Sequence, residues 1–277
     1  MRTKITGWRA IAATLGALVA LTAFSVAPAA AITNGQPTTA YPYVGLMTAH
    51  AADGDYMHRC SGTLISPTVF VTAGHCTFGA EYAVVYFEPG PIIPDPDFTL
   101  ETRSCEGIEG YPCGGGVTGD VFTHPEYDDD AFFLHDLGVV VLDEPVILEE
   151  YAELPELNAL EELHVGDRFT SVGYGLQKAF PDAAAWKDVA IRQRMVAHPR
   201  LLQINTAFTG DFSILLSNNA NTGGTCFGDS GGPNFIGNSL VIGGVTSYGI
   251  NPTCAGTGGV YRIDQEDDLD WLATFLA

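Results

Sequence analysis

The amino-acid sequence predicts an all-β protein in which many short strands are separated by turns. Three observations lead to this. Short apolar, β-branched runs recur along the chain with Gly, Pro and Ser between them, the mark of half-buried strands joined by tight connections. The chain has 32 Gly and 16 Pro with no collagen period. Hydrophobic residues make up 46% and charged residues 16%, which excludes a disordered or coiled-coil chain and leaves ample material for a core in 277 residues. Such a pattern favours a sandwich or barrel over an α/β fold.

The first 31 residues stand outside that pattern. Arg2, Lys4 and Arg9 precede an apolar run over 10–24, and Ala29, Ala30 and Ala31 follow. A basic start, a short apolar core and an Ala-x-Ala exit predict a secretory signal peptide over 1–31 and a secreted domain over 32–277. The competing reading, a membrane anchor, needs a longer run than this one, since about 20 apolar residues span a bilayer. Removal of the three basic residues takes the formal charge from −21 to −24. Neither a nucleic-acid backbone nor an anionic membrane suits so acidic a chain, and stable membrane insertion is not expected. Export makes the six cysteines candidates for three bridges.

The elements follow in order. Gly62-Thr63-Leu64-Ile65 and Thr68-Val69-Phe70-Val71-Thr72 flank Ser66-Pro67 as two strands flank a turn. A further strand is expected at 82–87, and a loop at 89–96, which holds four prolines. Residues 137–142 form a buried strand too short for a typical helix. The acidic stretch 147–163, with scattered leucines, reads as a connector with one helical turn. Strands are expected again at 168–172, 189–196 and 239–248. Near the end, Asp264 can cap a helix whose first turn carries Glu266, Asp267 and Asp268, where the helix dipole favours negative charge. Leu269, Leu272 and Leu276, with Phe275 and Trp271, make its apolar face.

Three segments carry chemistry. In Val71-Thr72-Ala73-Gly74-His75-Cys76, the histidine could ligate a metal, fill the core or act as a general base beside a disulfide; close-spaced ligands for zinc are missing. In His135-Asp136-Leu137-Gly138, a carboxylate immediately precedes a buried strand, which is costly unless it is hydrogen-bonded. In Cys226-Phe227-Gly228-Asp229-Ser230-Gly231-Gly232-Pro233, glycines permit a tight turn and clear space around a serine hydroxyl. The order His, Asp, Ser is one of the known orders of a catalytic triad. His124 and His135 read as structural.

Together these segments resemble those of secreted, bacterial-type serine proteases of the chymotrypsin/trypsin family. Thr72-Ala73-Gly74-His75-Cys76 is similar to the family's Thr-Ala-Ala-His-Cys box with Gly for its second Ala, His135-Asp136-Leu137-Gly138 to its Asn-Asp-Ile-Ala segment, and Gly228-Asp229-Ser230-Gly231-Gly232-Pro233 to its nucleophile motif throughout. The resemblance covers 32–277. It implies two six-stranded antiparallel β-barrels, about 32–155 and 165–262, with a C-terminal α-helix at about 264–276. It implies a serine endopeptidase with Ser230 as nucleophile, His75 as general base and acid, Asp136 as the orienting carboxylate, and the N–H groups of Gly228 and Ser230 as the oxyanion hole. The family pairs the counterparts of Cys60 with Cys76 and of Cys226 with Cys254. Cys105 and Cys113 are left to form a small local loop by elimination.

The resemblance also locates a primary specificity pocket. Gly224 occupies its base, where Arg- and Lys-selective relatives carry Asp, and Ser247-Tyr248-Gly249 and Gly259 form its walls. An uncharged pocket favouring aromatic or large apolar residues is expected, with Arg/Lys selectivity through a displaced carboxylate, or a noncatalytic binding module on the same scaffold, as the alternatives. In relatives, a freed N-terminal Ile pairs with the Asp before the nucleophile, here Ile32 with Asp229. The expected partners are protein or peptide substrates and proteinaceous protease inhibitors; a monomer with no cofactor and no metal is expected.

Overall fold

The computed structural model of the protein describes residues 32–92, 115–177 and 192–276. The leader 1–31, the Cys105–Cys113 pair and parts of the expected loop at 89–96 and strand at 189–196 lie outside the described residues.

The first half is a closed antiparallel barrel. Its strands are β2 (Val44–His50), β3 (Tyr56–Leu64), β4 (Val69–Thr72), β5 (Tyr82–Tyr86), β6 (Val117–Thr123) and β7 (Gly138–Leu142), in the order β2-β3-β4-β7-β6-β5 with β5 returning to β2. Closure leaves no unpaired edge. The Ser66-Pro67 turn forms as expected: the Ser66 hydroxyl accepts the Val69 N–H at 3.1 Å and the Val69 carbonyl accepts the Ile65 N–H at 2.9 Å.

The second half corrects the expectation of two six-stranded barrels. It is an open, eight-stranded sheet with the order β1-β9-β8-β12-β13-β14-β11-β10. Its members are β1 (Gln36–Pro37), β8 (Phe169–Gly173), β9 (Met195–Ala197), β10 (Leu201–Thr206), β11 (Gly210–Asn218), β12 (Pro233–Ile236), β13 (Ile242–Gly249) and β14 (Gly256–Arg262). The N-terminal segment adds β1 to one edge, where Gln36 faces Val196, and β10 pairs only with β11 at the other, so the two edges do not meet.

The halves share one core. Tyr43 of the barrel side lies edge-on to Phe235 of β12 at 5.9 Å, and Tyr41 stacks on the same ring at 5.9 Å. Arg194 is buried between them. Its guanidinium donates to the carbonyls of Val44 (3.1 Å), Ala40 (3.3 Å) and Phe87 and to the Tyr174 hydroxyl (3.1 Å), tying the barrel to the segment ahead of β9.

The connector reading of 147–163 agrees with a single 3-10 turn at Ala159–Glu162. Among the described residues, the helix that follows α1 (Gly74–Thr77) is α2 (Glu266–Ala273), shorter than the expected 264–276. Asp264 does not cap it; the N-cap residue is Gln265. The Asp264 carboxylate is buried, accepts two N–H groups of Arg262 (2.9 and 3.0 Å) and the Leu160 N–H (2.8 Å), and so anchors the connector instead. Leu272 is buried, whereas Leu276 is half exposed beyond the helix end and contributes little to the apolar face.

Replacing Arg194 by Ala strands several buried acceptors at once, each bonded to a cation. The Arg194→Ala chain should lose about 3 kcal/mol or more of unfolding free energy in urea titration, and Arg194→Lys should recover only part of it, because one ammonium cannot reproduce the fork.

Candidate active site

His75 sits in the single turn of α1, directly after β4, and Asp136 directly before β7; β4 and β7 are barrel neighbours, with Thr72 opposite Gly138. Two residues 61 apart in sequence are therefore brought side by side. Asp136 is fully buried. Its Oδ1 accepts the His75 main-chain N–H at 2.9 Å, its two oxygens lie 3.1 and 3.0 Å from His75 Nδ1, and its Oδ2 accepts the Ser247 hydroxyl at 2.5 Å. The strand-flanking carboxylate is thus hydrogen-bonded, as its burial requires. A carboxylate only accepts, so Nδ1 carries the proton and the His75 Nε2 lone pair is left facing outward. Burial pushes the imidazole pKa down, but the Asp136 charge and hydrogen bonding outweigh it and hold the ring above its ordinary value of 6.5.

Ser230 lies in the turn between β11 and β12. Gly231 there has φ +74°, and a Cβ on it would stand 2.0 Å from the Thr72 hydroxyl oxygen, so the turn can press against β4 only through glycine. The turn is held by Asp229 N–H to the Cys226 carbonyl (2.9 Å), Gly232 N–H to the Asp229 carbonyl (2.8 Å) and Gly231 N–H to the Thr246 carbonyl (2.7 Å). By contrast, the N–H groups of Gly228 and Ser230 make no hydrogen bond among the described residues. The Phe227 carbonyl accepts the Leu176 N–H at 2.8 Å, and in a trans peptide this turns the Gly228 N–H to the opposite side.

A cavity of about 270 Å³ opens beside Ser230. Ser247, Tyr248 and Gly249 line it, as do Thr225, Thr257, Gly258, Asn251 and the Cys226–Cys254 bridge, with Phe132 and Phe227 at its rim. The Phe132 ring also meets His75 edge-on at 6.4 Å, which carries the cleft from the serine to the histidine. Gly224 and Gly259 are not among the lining residues. A Cβ on Gly224 would run into Asn218, whose amide donates to the Thr225 carbonyl at 2.8 Å, and one on Gly259 into the Tyr248 ring. Sequence reasoning missed Thr225, Thr257 and Phe132; the first adjoins Gly224 and could have been found by stepping one residue along.

Ile32 is fully buried against Met195 and Ala197, and the Thr33 carbonyl accepts the Gly224 N–H at 3.1 Å. The buried Asp229 carboxylate accepts N–H groups from Gly175 (2.7 Å) and Cys226 (2.9 Å). Burial pushes its pKa up to about 7, against the pull of those N–H groups and of the nearby Arg59 guanidinium. Disulfides join Cys60 to Cys76 and Cys226 to Cys254, with Cα separations of 6.2 and 5.3 Å, within the usual range.

Two other groupings hold potential metal ligands. Cys60, His75 and Cys76 cluster, but the two sulfurs are joined to each other and offer no thiolate. His124, His135 and Asp267 cluster beside α2, where the histidine rings stack at 5.1 Å and 9°. His124 Nδ1 accepts the Glu126 N–H at 3.2 Å, so the neutral ring keeps its proton on Nε2, directed toward the buried Asp268 at 3.8 Å. In that tautomer the His124 Nδ1 lone pair is already taken by the Glu126 N–H and Nε2 carries a proton, so this ring has no lone pair free for an ion.

The sequence places the protein in the trypsin family: the family's signature matches residues 32–271. Among its relatives, a trypsin from Saccharopolyspora erythraea is 30% identical over 222 residues, covering 75% of this chain and 82% of that one. A brachyurin from Leptuca pugilator is 30% identical over 228 residues (79% and 88%), and a trypsin from Simulium vittatum is 28% identical over 228 residues (80% and 83%). In fold, the chain resembles a collagenase designated HL (TM-score 0.65, 19% identity, 87% of this chain and 97% of that one) and human heparin binding protein (0.60, 20%, 88% and 96%). Serine-protease character follows from the family.

The His75–Asp136 pair sets a titration that can be read without substrate. By NMR, His75 should titrate above 6.5 in the parent chain and lower in Asp136→Asn, where burial is opposed only by the weaker pull of Asp129.

Proposed function

We propose that the protein is a secreted serine endopeptidase whose acyl-enzyme forms on Ser230. What supports this reading is the cavity lined by Ser230 and Phe132, the unspent N–H groups of Gly228 and Ser230, and His75, oriented by a buried carboxylate and in ring contact with Phe132. As Ser230 Oγ attacks the scissile carbonyl, His75 Nε2 takes its proton and then delivers it to the leaving amine, while Asp136 stabilises the imidazolium. The Gly228 and Ser230 N–H groups meet the negative charge that develops on the carbonyl oxygen. Deacylation by water repeats the sequence with water as nucleophile.

Specificity follows from the cavity. None of its lining residues is charged, and its walls are aromatic, disulfide and threonine surfaces. A buried Arg⁺ or Lys⁺ there has no counter-ion, whereas apolar area gains roughly 25 cal/mol per Å² buried. The substrates supported are proteins and peptides with Phe, Tyr or Leu before the cut. The name of human heparin binding protein speaks of a polyanion; with 33 acidic and 12 basic residues, this chain offers no comparable attraction.

Reaction of the purified protein with a peptidyl phosphonate, and of a Ser230→Ala variant beside it, tests the assignment. Labelling and turnover should be present in the first and absent in the second. On a panel of chromogenic peptides, kcat/KM should favour Phe, Tyr and Leu over Arg and Lys; an Arg preference above tenfold would overturn the pocket reading.

Activation is read from Ile32 and Asp229. Once cleavage frees Ile32, its ammonium adds a charge partner to the buried Asp229 carboxylate beside the pull of Arg59. In a chain still extended before Ile32, Asp229 has a folded pKa of about 7, above its ordinary 3.8. A raised folded pKa gives stability that is full below the unfolded value and lost as pH rises through the folded one. The unprocessed chain should therefore lose thermal stability between pH 4 and 7 relative to the processed one, and Asp229→Asn should remove most of that difference, as followed by melting at a series of pH values.

A further inference from the structure

We propose that Ser61 is a positioning residue of the oxyanion hole, and this rests on the protease reading above. Ser61 is fully buried in β3 of the closed barrel, yet it reaches across to the nucleophile turn of the other half. Its main-chain N–H donates to the Ser230 carbonyl at 2.7 Å. Its hydroxyl donates to the Gly228 carbonyl at 2.9 Å and accepts the Tyr174 N–H at 3.0 Å. The two residues whose N–H groups are left unspent in the cleft are thus the two whose carbonyl oxygens Ser61 holds.

The arrangement divides the labour by atom. The N–H contact to Ser230 survives any substitution at position 61 except proline, but the contact to Gly228 depends on the hydroxyl. Gly228 has φ +92°, in the region where glycine moves most freely, so nothing in its own torsions fixes the peptide that follows it. The Leu176 N–H fixes the carbonyl before Gly228, and the Ser61 hydroxyl fixes the carbonyl after it. Clamped on both sides, the Gly228 N–H cannot swing. A donor that must reorient as charge develops stabilises that charge less than one already aimed at it, and a displacement near 1 Å can cost on the order of 100-fold. Because Tyr174 N–H supports the hydroxyl from behind and Arg59 Nη1 donates to the Tyr174 carbonyl at 3.1 Å, the hydroxyl itself is held in place.

The alternative is that the Ser61 hydroxyl merely satisfies the buried Tyr174 N–H. Two inhibitors separate the two roles: a peptide boronate with Phe at its end, whose tetrahedral adduct occupies the oxyanion hole, and the matching peptide alcohol, which fills the pocket without an oxyanion. In Ser61→Ala, kcat for a Phe anilide should fall about tenfold with KM within twofold, a smaller loss than removal of a donor outright. The boronate Ki should rise about tenfold while the alcohol Ki stays within twofold. Ser61→Thr, which keeps the hydroxyl, should restore boronate affinity. If Ser61→Ala does not fold, Ser61→Gly, which leaves room for a water at Tyr174 N–H, carries the same comparison. Equal weakening of boronate and alcohol, or no change in either, overturns the proposal while a phosphonate-reactive parent leaves the protease reading intact. A parent chain that takes no phosphonate overturns both.

Discussion

A carboxylate with no access to solvent joins the two halves of this molecule. Asp136 enters from the closed barrel, and the hydrogen bonds that make its burial tolerable come from both sides: His75 from the barrel and Ser247 from β13 of the open sheet. Removing either partner would leave a buried carboxylate short of its hydrogen bonds, at a cost of several kcal/mol. The seam and the site are therefore the same physical feature. The imidazole is oriented only where the halves meet, and the halves meet where a charge demands partners.

The contrast between the halves has a mechanical consequence. The closed barrel has every strand paired and supplies the groups that must not move: the His75–Asp136 pair, and Ser61 beneath the nucleophile turn. The open sheet supplies the segment around Asp229, the cavity walls, and β1, which belongs to the N-terminal segment itself. The Thr33 carbonyl takes the Gly224 N–H, and the Thr33 hydroxyl donates to Asn218 Oδ1 at 2.6 Å, while the Asn218 amide holds the Thr225 carbonyl on the cavity wall. The position of the N-terminal segment is thereby felt in the pocket through side chains as well as through the main chain. An open edge that accepts a short strand suits this better than a closed barrel would.

How much of this could be read from sequence depends on whether the determining partners were local. The segments of His75, Asp136 and Ser230 stand out in the sequence because each is a motif whose neighbours serve it directly: glycine to allow a turn, or a β-branched strand to bury a carboxylate. The chymotrypsin/trypsin resemblance then implied two closed barrels, and the second proved open because closure depends on whether two distant edges, β1 and β10, find each other. The hairpin of β10 and β11 was not recognised, since β10 alternates exposed polar and apolar residues without a continuous apolar run. Asp264 had the chemistry of a helix cap, but Arg262 two residues before it and Leu160, far away in sequence, had the stronger claim on its carboxylate. Gly224 was placed by its distance from Ser230, and the cavity is lined by its neighbour Thr225, because the Asn218 side chain packs against Gly224.

The acidity of the chain takes on meaning once its cations are located. Every basic residue among the described ones is an arginine, and several are turned inward. Arg194 is buried among carbonyls and a tyrosine hydroxyl with no carboxylate among the described residues bonded to it, Arg262 is buried against Asp264 and Glu161, and Arg59 reaches the Tyr174 carbonyl beside the nucleophile turn. Arginine suits these places because its fork satisfies several acceptors at once and its charge is lost only at extreme pH. The interior also takes Asp136, Asp229, Asp264 and Asp268, and Arg168 and Arg200 stay exposed, so with 33 acidic and 12 basic residues the surface remains anionic. Mutual repulsion among the surface carboxylates favours expansion of the chain. The interior arginines oppose it, because each is bonded to segments that expansion would separate: Ala40, Val44 and Phe87 to Tyr174 through Arg194, and the connector to the last strand through Arg262.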